Sequence, residues 1–207
     1  MRLVQLPVQR FASLRSPRSW GLHFALISAL VAGLAGAAGA DSKAGVTMPD
    51  SIKLADKQLV LNGLGLREAT ILKIDVYVAG LYLEAVSSDP AAIIASPGPK
   101  MLVLRFVRDV DRKDIVKAWN EGFKGNATVK LPTIQPLIDQ LNGWMGDFKD
   151  GSTLIFTYVP GTGVEVLVNK MRKGVLNNDD FARSLFSIWL GPKPPTNDLK
   201  RGLLGKH

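Results

Sequence analysis

The sequence predicts an α+β fold in which helices pack against one largely antiparallel sheet. Three observations point to it. Apolar residues alternate with period two over some runs and recur at helical spacing over others, in the order strands, helix, strand, two helices, hairpin, helices. The turn signal Pro160-Gly161-Thr162 sits between two strand-like runs, the mark of a hairpin. No internal repeat and no linker to a second domain interrupts residues 51–207, which read as one domain.

The elements follow in order. Residues 41–50 read as a flexible lead-in. Between Ile52 and Leu61 two short apolar runs flank Ala55-Asp56-Lys57, a hairpin pattern. From Ala69 to Leu83 a β-rich run alternates in its first part. Leu72, Ile74, Val76 and Val78 are expected to pack on the core, and Lys73, Asp75, Tyr77 and Ala79 to face solvent or a cleft. Asp89-Pro90 opens a short helix through Ile94, because aspartate caps well and proline is tolerated at the first helical position; Ser96-Pro97-Gly98-Pro99 closes it. Met101 to Val107, apolar apart from Arg105, reads as a central strand.

Asp111 caps a helix through Phe123, with Ile115, Ala118, Trp119 and Phe123 on one face. Thr133 caps the next, where Ile134, Leu137, Ile138, Leu141 and Met145 keep helical spacing and Pro136 falls in the first turn. Ser152–Val159 and Gly163–Val168 make the hairpin. Asn178 or Asp179 starts a helix through Leu190 that Gly191-Pro192 stops, and Thr196 caps a short helix around Leu199 to Leu204.

Residues 1–40 are expected to be a secretory signal peptide. Arg2, Arg10, Arg15 and Arg18 form a basic head, Trp20 to Ala40 carries no charge, and Ala38-Gly39-Ala40 offers small residues for cleavage. The other reading is a retained membrane anchor, since the uncharged run is about long enough to span; its Ala- and Gly-rich second half suits cleavage better. Export, most simply to the periplasm, with no membrane span after cleavage, is the expectation. The formal charge is +8, but four of the 26 basic residues lie in the leader, leaving 22 against 18 acidic ones. That mild, scattered excess forms no basic stripe interleaved with aromatics, so nucleic-acid binding is not expected.

Chemistry is narrowed further by what is missing. The chain has no cysteine and only two histidines, His23 in the leader and His207. No Ser-His-Asp or Cys-His arrangement and no His- or Cys-based zinc site can be assembled, and neither a metal nor a cofactor is expected. Function must rest on Arg, Lys, Tyr, Thr, Asn or carboxylates.

Arg67 is the foremost candidate. It follows Leu61-Asn62-Gly63-Leu64-Gly65-Leu66, and Gly63 and Gly65 are expected to let the backbone turn tightly and present it. A guanidinium stays charged at any physiological pH and grips a carboxylate or a developing oxyanion with two parallel hydrogen bonds. The same stretch is not a dinucleotide fingerprint, which needs a third glycine and a following helix. Tyr77 offers a hydroxyl on the polar-facing side of its strand. Asn120 and Lys113 lie on the helix after Asp111, where each lines a cleft or simply meets solvent. Arg105 inside an apolar strand reads as structural, paired with Asp109 or Asp111. Trp119, Trp144 and Trp189, with Phe181 and Phe186, read as core; a lesser alternative has Phe123, Trp119 and Phe186 lining an apolar tunnel.

The turn Gly63-Leu64-Gly65-Leu66-Arg67, the strand end Gly80-Leu81-Tyr82-Leu83-Glu84 and the ending Ile188-Trp189-Leu190-Gly191-Pro192-Lys193-Pro194-Pro195 resemble the chalcone isomerase superfamily, nearest its bacterial exported members. The resemblance spans roughly residues 61–204. It implies an open-faced β-sandwich, a large antiparallel sheet covered by a layer of helices, with a cleft between. Plant enzymes of that fold cyclise chalcones by intramolecular conjugate addition, and related plant proteins bind fatty acids without being isomerases. By that resemblance Arg67 falls on the catalytic arginine and Asn120 on a cleft asparagine. Tyr77 stands where the enzymes have threonine, Lys113 where they have the catalytic tyrosine, and Lys173 near their threonine or serine. The oxyanion-holding arginine is kept while the ketone-positioning groups mostly differ, which counts against chalcone cyclisation. The resemblance therefore implies a non-catalytic binder of a fatty acid or similar amphipathic carboxylate, held by Arg67, Tyr77, Asn120 and Lys113. The alternative is an isomerase of the intramolecular-lyase type acting on an enone or phenolic substrate.

Overall fold

The alternating runs pair into a meander. In the computed structural model, which describes residues 40–69 and 72–206, seven strands form one antiparallel sheet in sequence order. They are β3 (Ser51–Leu54), β4 (Lys57–Ala69), β5 (Ile74–Leu83), β6 (Lys100–Phe106), β7 (Thr153–Val159), β8 (Gly163–Val168) and β9 (Met171–Leu176). Five helices, α1 (Pro90–Ala95), α2 (Arg112–Asn126), α3 (Leu131–Trp144), α4 (Asp179–Leu190) and α5 (Asn197–Leu203), pack on one face. The fold class is the expected one. The leader lies outside the described residues. No helix among the described residues is long and apolar enough to cross a membrane.

Caps set the helix starts largely as their residue types dictate. The Asp89 carboxylate accepts from Ala91 N and Ala92 N, Asn178 from Phe181 N, and Thr196 from Leu199 N. Asp111 occupies the cap of α2 without a side-chain bond. The expectation for α3 is corrected: it begins at Leu131, not after Thr133. Pro132 takes the first-turn place, and Pro136 lies inside the helix.

The lead-in is also different from its expectation. Residues Ala40–Lys43 and Val46–Pro49 form a hairpin, β1 and β2, turned at Ala44 and Gly45 with φ of 47° and 75°. Its Met48 is buried against the sheet face away from the helices, where a Cβ on Gly80 would stand 2.4 Å from the Met48 sulfur. β9, for which the sequence offered no expectation, is reached through Asn169-Lys170, both at positive φ, a two-residue hairpin turn lacking the usual glycine.

Both faces of β5 are therefore covered. Tyr77, Ala79, Leu81 and Leu83 belong to the main core under the helices, and Val78 and Tyr82 to smaller clusters on the far side. The sequence assigned the faces the other way round: Leu72 and Ile74 are exposed. Arg105 is exposed on the outer face, and neither expected partner takes it. Asp109 is held by Lys149 at 2.8 Å and Asp111 by Lys113 at 3.4 Å.

Lys100 is the buried cation of the core layer, 4% exposed. Its ammonium donates to the Ser96 carbonyl at 2.7 Å and lies 4.5 Å from the centre of the Tyr158 ring. Burial first, then the Arg183 charge, push its pKa down to about 8, with Asp179 pulling the other way. The unfolded chain keeps that proton to about 10.5, so between these values it binds more protons than the fold, and stability rises with pH. Burial pushes the Tyr77 phenol up to about 12 and Tyr82 higher still, so above about 10 the unfolded chain ionises first and stability falls. Chemical denaturation across pH is expected to show stability rising from about 8 to a maximum near 10, and Lys100→Met to remove the rising limb. A flat profile in the unmodified protein would refute this.

Candidate functional site

Arg67 and Tyr77 stand directly opposite each other across β4 and β5. A bulge just beyond this pair leaves Val76 without a cross-strand partner, and its carbonyl accepts instead from Val107 N at 3.1 Å. Neighbours on a regular strand point to opposite faces; the bulge lets consecutive Val76 and Tyr77 both reach one cleft. This irregularity also explains why the simple alternation of β5 assigned its faces wrongly.

The cleft has a volume of about 670 Å³, inside the roughly 300–1,000 Å³ range of small-molecule sites. Its walls are β5, α2 and α4. Ile115, Ala118, Trp119 and Gly122 form one face of α2, and Ile188 comes from α4. The helices approach closely because position 122 has no side chain: a Cβ there would stand 2.7 Å from Ile188 Cγ2. Lys193, Pro194 and Pro195, in the loop after α4, close one rim. That loop is fixed by the buried Asn126, which donates to the Gly122 and Lys193 carbonyls at 2.9 Å each and accepts from Lys193 N at 2.8 Å.

The floor is aromatic. Trp189 Nε1 donates to the Tyr77 hydroxyl oxygen at 3.0 Å, and the Trp119 and Trp189 rings lie 5.5 Å apart. The Tyr77 O–H has no acceptor among the described residues, and with its pKa raised to about 12 it remains a donor throughout the physiological range.

Charge gathers at the mouth. Arg67, half-buried, gives one N–H to the Glu68 carbonyl and, among the described residues, meets no carboxylate. Arg108 and Lys193 line the cleft likewise without an ion pair among the described residues. Of the acids that share the rim, Asp109 and Asp111 are each engaged by a lysine, while Asp114 and Glu121 are not. Hydrogen bonds from Lys149 and from Asp150 N hold the Asp109 carboxyl below its ordinary pKa, so it stays ionised. The cations left unengaged at the mouth thus outnumber the acids left unengaged. No cluster of metal-ligating side chains occurs among the described residues.

Comparison with known proteins bears on this arrangement. The profile of the chalcone isomerase-like family matches residues 40–205. The chain belongs to the chalcone isomerase-like family. The crystal structure of a fatty-acid binding protein from Arabidopsis thaliana resembles it with a TM-score of 0.64 at 17% identity, over 80% of this chain and 96% of that one. At that identity the likeness shows the fold. No protein among those with curated descriptions matches the chain in sequence.

Of the positions singled out by the chalcone isomerase-like resemblance, the structure brings Arg67 and Tyr77 together in the cleft and leaves the others outside it. Asn120 is exposed, and its Oδ1 accepts from Asn142 Nδ2 at 2.8 Å, joining α2 to α3. Lys113 is exposed beside Asp111, and Lys173 on β9 is not a cleft residue. The reason is helical geometry. One step of about 100° separates Asn120 from Trp119, so a face that turns Ile115, Ala118, Trp119 and Gly122 inward turns Asn120 away. Trp119, read from the sequence as core, is both buried and part of the cleft wall, and its place on the same stripe as Ala118 and Gly122 was the available signal. Phe123 and Phe186 are buried and line no tunnel among the cleft residues.

The glycines before Arg67 make no turn. Gly63 and Gly65 lie within β4, and neither has positive φ. A Cβ on Gly63 would stand 2.2 Å from the Gly202 carbonyl oxygen, and one on Gly65 2.3 Å from that of Leu199. They are bare so that α5 can lie directly on the strand.

Proposed function

We propose that this chalcone isomerase-like protein binds a fatty acid or a similar amphipathic carboxylate in the cleft and does not turn it over. The observation that supports this reading is Arg67: a half-buried guanidinium with no carboxylate partner among the described residues, opposite the free Tyr77 O–H, in a cleft that joins charged rim residues to an apolar stretch of Val76, Ile115 and Ile188. A charge-assisted hydrogen bond contributes roughly 1.5–3 kcal/mol net. Ten methylenes buried against Val76, Ile115 and Ile188 would contribute on the order of 8 kcal/mol before ordering costs. The tail then supplies affinity and Arg67 orientation. Export remains part of the proposal, and the intact mass of protein purified from its host reports whether residues 1–40 are removed.

Replacing Arg67 with methionine keeps a long apolar side chain and deletes the charge. The expected outcome is a loss of about tenfold or more in affinity for a fluorescent fatty-acid probe, with the melting temperature retained. Unchanged affinity in a folded variant would overturn the reading. A second reading has one observation in its favour: two donors that would hold a carboxylate would also hold an enolate or phenolate oxygen. Loss of the long-wavelength absorbance of a chalcone above its spontaneous rate, abolished by the same substitution, would replace binder by isomerase.

A further inference from the structure

Trp119 Nε1 is a buried donor with no hydrogen-bond partner among the described residues. Such groups are uncommon, because a buried N–H that has given up water leaves a standing penalty until an acceptor arrives. Trp119 is 2% exposed, and its ring forms part of the cleft wall on the same face of α2 as Ile115 and Gly122. The contrast with its neighbour is informative. Trp189, packed against it, spends its N–H on the Tyr77 oxygen, and that bond leaves the Tyr77 hydrogen free. Two unspent donors, one phenolic on β5 and one indolic on α2, therefore belong to residues that line the same cleft as Arg67.

We infer that Trp119 Nε1 is the third donor of the head-group site, with Arg67 and Tyr77, and that the three together select a carboxylate over an alcohol or ester. The inference rests on the carboxylate reading above and says what enforces it. A carboxylate offers two oxygens with about four lone-pair sites and no hydrogen to give. Two parallel N–H bonds from Arg67, one O–H from Tyr77 and one N–H from Trp119 match that number, and no acceptor in the set is aimed at a ligand hydroxyl. An alcohol has a hydrogen of its own to place and cannot engage all the donors. Trp119 Nε1 is closed to solvent, so engaging the head group requires the indole to turn toward the cleft it already lines.

The test compares dodecanoate with dodecan-1-ol, each displacing a fluorescent fatty-acid analogue, in the unmodified protein and in Trp119→Phe, which keeps the ring and removes the N–H. The expected result is a loss of about tenfold for dodecanoate with the alcohol changed by less than about twofold. A packing role would move both ligands alike. In protein carrying 15N in its indoles, the Trp119 resonance is expected to shift on adding dodecanoate and not on adding dodecan-1-ol. That measurement decides the matter even where the substituted protein fails to fold. Binding of dodecanoate with the Trp119 resonance unmoved overturns the inference alone. Absence of any carboxylate binding by the unmodified protein overturns the proposed function, and this inference with it.

Discussion

Gly65→Ala is expected to destabilise the fold by about 3 kcal/mol, the upper part of the usual range for forcing an atom into a packed interior. In a domain of this size that lowers the melting temperature by about 6–12 °C. The added Cβ would meet the Leu199 carbonyl oxygen at 2.3 Å and Leu199 Cδ1 at 2.7 Å, and the first of these is backbone that no rotamer change can move. The contact is reciprocal. A Cβ on Gly202 would stand 2.2 Å from the Leu64 oxygen and 2.8 Å from Gly65 Cα, so strand and helix interlock through bare backbone on both sides. Gly146→Ala is the control, since nothing lies within 4 Å of a Cβ there. Thermal melts of the two variants check the claim. If Gly65→Ala melts with the unmodified protein, α5 does not rest on β4 as described.

Asn126→Ala is expected to cost roughly 2–3 kcal/mol, by stripping a partner from each of three part-buried backbone groups at once. The Gly122 and Lys193 carbonyls lose a donor and Lys193 N loses its acceptor, at a residue only 6% exposed. This substitution also reaches the site. Lys193, Pro194 and Pro195 form one rim of the cleft, and Asn126 is what fixes that loop to α2. Faster release of a bound fatty-acid probe is expected, measured well below the melting temperature so that loss of fold does not contribute. A lowered melting temperature with an unchanged release rate would separate the loop from ligand retention.

Where the sequence was legible, one residue's local chemistry decided the outcome. Asp89, Asn178 and Thr196 cap helices because a short polar side chain before an apolar periodic run has few better uses, and Pro160-Gly161-Thr162 turns because its residues permit little else. It misled where a distant segment decided. Gly63 and Gly65 carry the same two letters whether they permit a turn or admit a helix, and only the position of α5, more than 130 residues on, distinguishes the two. Among its described residues the hairpin of β1 and β2 buries a single side chain, Met48, too little to give a pattern. The turn into β9 is hidden because Asn169-Lys170 adopts a backbone that glycine usually marks. Of the candidate site residues, Arg67 and Tyr77 line the cleft, though Tyr77 does so from the core face and Arg67 from within β4 rather than from a glycine turn. Asn120, singled out by the resemblance, ties α2 to α3 here, and the unspent donor of Trp119 is visible only once every neighbour has been placed.

Asn62, the extra residue of the first bulge in β4, donates to the carbonyl of Leu203, 141 positions away, and brackets Ser87 as well. Loop closure across such a separation is slow. During synthesis the strand bearing Arg67 leaves the ribosome early yet lacks its covering helix until residues near 203 have followed. The nascent chain therefore leaves the bare backbone of Gly63 and Gly65 uncovered for most of its translation.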